Sequence, residues 1–423
     1  MSTGPEVRTA RLSNGLRLVS QEMPTLETAA LGVWVNTGGR HESAALNGVS
    51  HLLEHMAFKG TERRDAYAIA TEIEAVGGHL NAYTSREQTA YYAKVLKEDQ
   101  ALAMDLLGDI LCHSQLADDE LAREKDVVIQ EIGQAHDTPD DIVFDNFQEV
   151  AYPGQAIGRP VLGSADGVAA LGREDLFGYL GERYTAADMV LAVAGNIDHD
   201  KLLDWAGEAF GGIAPGPGPG CERARYVGGE FRGRRDLEQL HMVLGIDGIA
   251  YNDNDFYALQ VLSTLLGGGM SSRLFQEVRE KRGLAYSVFT FAASYVDGGL
   301  FGVYAGSGGE EGPELLEVVC DELRKACDGI GEDEVARARA QLKSGLLMAL
   351  ESCYSRCEQL ARQTLIYGRV KSVAETVAAV DAVDAAAVEA CMWRLLSGAA
   401  PTFAALGPVA ELPALETLAA RLA

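Results

Sequence analysis

Leu16 to Ser20, Ala29 to Val35 and Leu240 to Ile246 are β-type segments with apolar alternation, which predicts strands. The apolar run from Val190 to Gly195, closed by Asn196, predicts a buried strand ending in a turn. Tyr67 to Val76 has helical spacing and meets Gly77-Gly78. A strand-like His79 to Thr84, a second strand Thr89 to Val95 and a helix from about Asp99 follow. In the second half a helix carrying Arg273 to Lys281 meets Arg282-Gly283, then strands Leu284 to Phe289 and Gly299 to Ala305, then a helix from about Gly312. The order helix, glycine, hairpin, helix therefore occurs twice.

Between the two occurrences, Ile213 to Cys221 alternates Pro and Gly and supports neither a helix nor a ladder, so it reads as an interdomain linker. The pattern predicts an α+β protein of two homologous domains, each a mostly antiparallel mixed sheet with helices packed on one face. The expected boundaries are residues 1–214, a linker at 215–229, and 230–423.

Composition agrees with more than one core, since 423 residues is about three times a typical domain of roughly 100–150. With 47% hydrophobic and 23% charged residues the chain lies outside the range of disordered proteins. Its 62 Asp+Glu against 36 Lys+Arg give a net charge of −26, which repels phosphate backbones and anionic lipid, so neither nucleic acid nor a membrane is an expected partner. No run of about 18 uninterrupted apolar residues occurs. Met1 to Met23 has no apolar stretch behind a basic start, and the seven cysteines include no CxxC pair. The expectation is a chain with reduced thiols in a cytoplasm, bacterial by type.

Candidate chemistry centres on His51-Leu-Leu-Glu54-His55, within a stretch, Asn47 to Phe58, that suits a helix. At i and i+4 the two imidazoles project from one face, able to reach one zinc ion at about 2.0–2.1 Å. Glu54 stands beside them, where it can act as general base toward a water at the metal's open position. This is the inverted H-x-x-E-H order. A catalytic zinc takes three protein ligands. Asp118 to His136 reads as a long helix with Glu120, Glu124 and Glu131 on one face, and spacing alone does not choose among these carboxylates.

His51-x-x-Glu54-His55 followed by Glu131, seventy-six positions beyond His55, resembles the pitrilysin or insulinase family of zinc metallopeptidases. The surrounding text, HLLEHMAFKGTE from His51 and GHLNAYTSREQTAYYAKVL from Gly78, is similar to the processing-peptidase β-subunit type within that family. The resemblance spans essentially the whole chain. It implies a zinc metalloendopeptidase that binds one Zn2+ per chain through His51, His55 and Glu131. Glu54 would be the base and Glu124 a carboxylate supporting the site.

The same resemblance implies that Leu80 to Thr84 is a substrate-binding edge strand, with Asn81 and Ala82 nearest the scissile bond and Phe58 lining the pocket for the residue after the cut. From Asp118 to Glu149 there are eleven Asp/Glu and two Lys/Arg, a charge run suited to basic peptides. Within it Asp141 and Asp145 match the positions that, in processing peptidases, read an arginine two residues before the cleavage site; Asp141 is shorter than the glutamate usual there. The second half has a single histidine, His241, and cannot repeat the metal motif. There, Gly267 to Tyr286 resembles the family's arginine–tyrosine element, in which Arg279 would hold a substrate carbonyl and Tyr286 would steady the oxyanion.

A chain of this length supplies half of the family's four-domain clamshell, so the expected state is a dimer. Both the metal motif and the arginine–tyrosine pair are present, which favours a homodimer over a heterodimer with an inactive homologue. The alternative reading is a non-catalytic, core-type structural subunit of the same fold.

Overall fold

The computed structural model describes residues 6–398 and 400–423. The first half runs β1 (Val7–Arg11), β2 (Arg17–Glu22), β3 (Thr28–Val35), α1 (Val49–Ala57), α2 (Ala66–Ala75), β4 (His79–Thr84), β5 (Thr89–Leu96), α3 (Gln100–Cys112), α4 (Asp118–His136), α5 (Pro139–Ala151), α6 (Ala165–Ala170), α7 (Arg173–Arg183), β6 (Met189–Gly195) and α8 (His199–Phe210). Residues 211–228, which hold the Pro/Gly run, carry neither helix nor strand. The second half runs β7 (Gly229–Arg234), β8 (Leu240–Asp247), α9 (Phe256–Gly267), β9 (Ala285–Ser294), β10 (Gly299–Ser307), α10 (Gly312–Lys325), α11 (Glu332–Ala349), α12 (Cys353–Tyr367), α13 (Val373–Asp381), α14 (Ala385–Leu396), β11 (Thr402–Gly407) and α15 (Leu415–Leu422). Phe275–Glu280, expected as an ordinary helix, is wound as a π-helix.

Two compact units form. The first takes the chain up to Gly133, Arg159–Glu222 and Met348–Val370; the second takes Gln134–Gly158, Arg223–Leu347 and Lys371–Ala423. In the first, six strands lie in the order β1-β2-β6-β3-β5-β4, with β2–β6 parallel and the other pairs antiparallel. In the second, five strands lie in the order β7-β11-β8-β10-β9, with only β7–β11 parallel. This is the predicted α+β class.

Strand periodicity explains how each sheet is covered. In the first unit Leu18, Leu31 and Val33 point to one face, against Leu52, Leu53 and Met56 of α1, Leu107 of α3 and Val128 of α4. Val19, Ala30, Trp34 and Ala192 point to the other, where Cys357, Leu360 and Ala361 of α12 cover them. A sheet buried on both sides explains why β3 and β6 read as nearly continuous apolar runs. The second unit repeats the device: Met242, Leu244 and Ile246 face α9, α10 and α14, while Val243, Tyr304 and Ala404 are covered by Ile142, Val143 and Phe147 of α5. Each sheet thus carries most of its helices on one face and one helix from the other half of the chain on the opposite face. An amphipathic stripe shows that a helix needs a partner but does not say which sheet supplies it, so the linear reading did not contain this exchange.

Candidate active site

The metal motif lies on α1. Val49, Leu52, Leu53, Met56 and Ala57 are buried on its core side, leaving His51, Glu54 and His55 together on a half-buried stripe. Burying Leu52, Leu53 and Met56 contributes about 1.5–3 kcal/mol each and fixes the helix rotation that presents that stripe. The start of α1 is held by Glu42, whose carboxylate accepts from Gly48 N–H at 2.8 Å, Ser50 N–H at 2.8 Å and Asn47 Nδ2 at 2.9 Å. Burial still pushes the Glu42 carboxyl above its ordinary value. Gly48 has φ +95°, and a Cβ there would lie 2.8 Å from the Leu162 carbonyl oxygen, so the turn into the helix requires glycine.

Three donor atoms converge in front of this stripe. Glu131 Oε2, on α4, lies 3.6 Å from His51 Nε2 and 3.5 Å from His55 Nε2. Ligand atoms from these three residues all fall within 4.8 Å of one another. A tetrahedral zinc with bonds of about 2.1 Å separates neighbouring ligand atoms by about 3.4 Å, so two imidazole nitrogens and one carboxylate oxygen at this spacing fit the ion. His51 is pushed down to about 4, mainly by burial and secondarily by His55, which keeps its imidazole neutral and able to ligate at neutral pH.

The three glutamates that spacing left equivalent are separated by the fold. Glu131 faces both Nε2 atoms. Glu124, buried, places Oε2 3.0 Å from His55 Nδ1 and Oε1 2.7 Å from Lys59 Nζ. Glu120 pairs instead with Arg123.

Glu54 accepts from Thr84 Oγ1 at 2.5 Å. Burial is the main influence raising its carboxyl; Thr84 and His55 act oppositely and Glu131 adds to the rise. Thr84 ends β4, the strand at the edge of the sheet, which pairs with β5 on one side only. Asn81 is exposed on that edge and Ala82 half-buried; Ala82 N–H donates to Asn81 Oδ1 at 2.8 Å. Phe58, the cap of α1, lines a cavity of about 270 Å³ between α2 and β4, with Ile69, Ala70, Ile73, Leu80 and Asn81.

The remaining sequence candidates belong to the second unit. Asp141 is exposed in the first turn of α5, and Asp145, one turn on, is half-buried. The acidic run is therefore divided, residues 118–133 belonging to the first unit and the rest to the second. Arg279 Nη1 donates to the Tyr286 carbonyl at 2.8 Å, and its guanidinium lies 4.6 Å from the centre of the Tyr286 ring. Tyr286 is 77% exposed.

Sequence reasoning missed three side chains. Thr84 was detectable as a polar residue at an inward strand position, after Leu80 and Ala82. Lys59 stands one helical turn beyond His55. Glu42 left no signal, because the helix start it caps is brought to it by the Ala44–Leu46 turn.

Comparison with known proteins identifies the family. Residues 17–165 match the model of the insulinase family (peptidase family M16), and residues 170–342 match the peptidase M16 inactive domain. The chain is 41% identical over 402 residues to a Mycobacterium tuberculosis protein named an uncharacterized zinc protease, covering 92% of this chain and 91% of that one. Among solved structures it is similar in fold to a protease from Helicobacter pylori, with TM-score 0.88, 22% identity and coverage of 96% and 100%. A chain of complex III2 from Candida albicans is equally similar in fold, with TM-score 0.87, 22% identity and coverage of 99% and 100%. Motif, fold and relatives agree: this chain belongs to the insulinase family of peptidases, M16.

Proposed function

We propose that this protein is a zinc-dependent endopeptidase of the processing-peptidase type. The observation that carries the reading is the convergence of His51 Nε2, His55 Nε2 and Glu131 Oε2 beside Glu54 and an open strand edge. Relatives named zinc proteases support the metal. A non-catalytic core-type subunit has no need of a complete ligand set with an adjacent base.

His51, His55 and Glu131 would hold the zinc, one per chain. The ion supplies Lewis-acid polarisation and a lowered pKa for the attacking water. Glu54 takes the proton of that water and passes it to the leaving amine nitrogen. The substrate adds to β4 as an extra strand, and Asn81 Oδ1 gives up the Ala82 N–H to the incoming peptide carbonyl. The residue after the cut enters the cavity beside Phe58, whose size suits a single apolar side chain. Asp141 and Asp145 pair with an arginine before the cut, Arg279 holds a substrate carbonyl, and Tyr286 steadies the oxyanion. Their support is sequence resemblance together with the exposure of Asp141 and Tyr286. Assembly as a homodimer completes the four-domain arrangement, and a bacterial cytoplasm is the proposed compartment.

The test is metal content and cleavage of an arginine-containing, presequence-like peptide with and without chelator. The parent should bind zinc and cleave; Glu54→Gln should keep the zinc and lose activity by about 10²–10⁴-fold. A Glu54→Gln protein cleaving at the parental rate overturns the base assignment.

A further inference from the structure

We infer that Thr84 is a positioning residue for Glu54, so that the strand that receives the substrate also aims the general base. The inference rests on the reading of Glu54 as base given above.

Three observations carry it. Thr84 Oγ1 donates to Glu54 Oε2 at 2.5 Å, the sole hydrogen bond to that carboxylate among the described residues. A glutamate needs such a partner, because its terminal torsion is broad and two-fold and does not by itself fix where the oxygens point. With Oε2 engaged, Oε1 is the oxygen left to take a proton.

Second, the hydroxyl occupies a position that strand alternation assigns to the core. Leu80 and Ala82 share its face of β4 and pack on the cluster that includes Leu52 and Met56 of α1. A polar group is therefore aimed at α1 where an apolar one is the default.

Third, Thr84 has little freedom to move. It pairs with Thr89 across the hairpin, and the Ser85–Gln88 turn closes with Ser85 N–H donating to the Gln88 carbonyl at 2.8 Å. That turn docks on the segment before α1: Gly39 N–H donates to the Ser85 carbonyl at 3.1 Å, and Arg40 N–H to the Arg86 carbonyl at 2.9 Å. The approach is so close that a Cβ on Gly38 would lie 2.1 Å from the Ser85 carbonyl oxygen. Below it, Arg40 and Glu87 form a buried ion pair at 2.5 Å. A β-branched side chain on this fixed backbone has a restricted χ1 and so a nearly fixed hydroxyl. Peptide, strand and base then share one frame, which is how a positioned group gains over a free one.

The experiment is steady-state cleavage of an arginine-containing fluorogenic peptide by the full, zinc-loaded chain and its variants. Thr84→Val, which keeps the shape and removes the donor, should lower kcat on the order of tenfold or more with KM within about twofold. Thr84→Ser should recover most of the loss, and zinc content should equal the parent's in both. Thr84→Ala replaces the valine variant if the latter does not fold. A parental kcat without the hydroxyl overturns the inference, as does a serine variant no better than valine, or loss of zinc. If the parent cleaves and Glu54→Gln does not, those failures concern Thr84 alone. A parent without metal-dependent cleavage overturns the base reading and this inference together.

Discussion

His55 and Glu124 form a hydrogen-bonded pair, Nδ1 to Oε2 at 3.0 Å, with the other carboxylate oxygen held by Lys59 Nζ at 2.7 Å. A carboxylate on Nδ1 selects the tautomer that carries its proton there and leaves the Nε2 lone pair toward Glu131. Removing either support, by Glu124→Gln or Lys59→Met, should weaken zinc binding by about 10–100-fold in competition with a chelator. Unchanged affinity in both variants would show that the ligands orient themselves.

Ala70 is exposed on α2 and lines the cavity beside Phe58. Ala70→Trp should fill that space, lowering kcat/KM about tenfold for peptides with phenylalanine after the cut while sparing those with alanine there. An equal effect on the two peptides would place that residue elsewhere.

The His41 side chain accepts at Nδ1 from Gly38 N–H at 3.1 Å, which requires a neutral ring. Burial, with Arg183 and Arg40 adding to it, pushes His41 from 6.5 down to about 4. The unfolded chain therefore binds the proton first, so stability contributed by the neutral ring is complete above about pH 6.5 and is lost progressively as pH falls toward 4. The loss should approach about 3 kcal/mol at the acid end. Denaturant melts of His41→Gln against the parent should differ in pH slope across this window; parallel slopes would remove His41 as the cause.

Asp141 and Asp145 lie one turn apart on α5. Replacing both with Asn should reduce cleavage of peptides with arginine before the cut by about tenfold or more, and neutral analogues far less. Matching losses would mean that the pair serves stability and not substrate choice.

Much of the fold was legible because it is local. The helix–glycine–hairpin–helix order follows from periodicity and turn residues, and α4 runs over Asp118–His136 as its spacing predicts. What periodicity misses is partner choice. Trp34 and Val33 alternate in sequence, yet the α12 residues that cover the Trp34 face lie more than three hundred positions away. The helix α5, read as part of the first half, covers the second sheet.

The site divides along the same line. His51, Glu54 and His55 were determined by sequence alone, because one helical turn places i, i+3 and i+4 side by side whatever surrounds them. Helix spacing left Glu120, Glu124 and Glu131 equivalent, and it is the tertiary structure that brings Glu131 to both Nε2 atoms, in keeping with the family resemblance. The buried Val128 sits between Glu124 and Glu131 and seats α4 on the core, so the two carboxylates reach opposite nitrogens of His55 while Glu120 turns to Arg123. Thr84 reached Glu54 the same way. The distance between residues remote in sequence is set by how cores pack, and that information is spread over every buried side chain and held by no single motif.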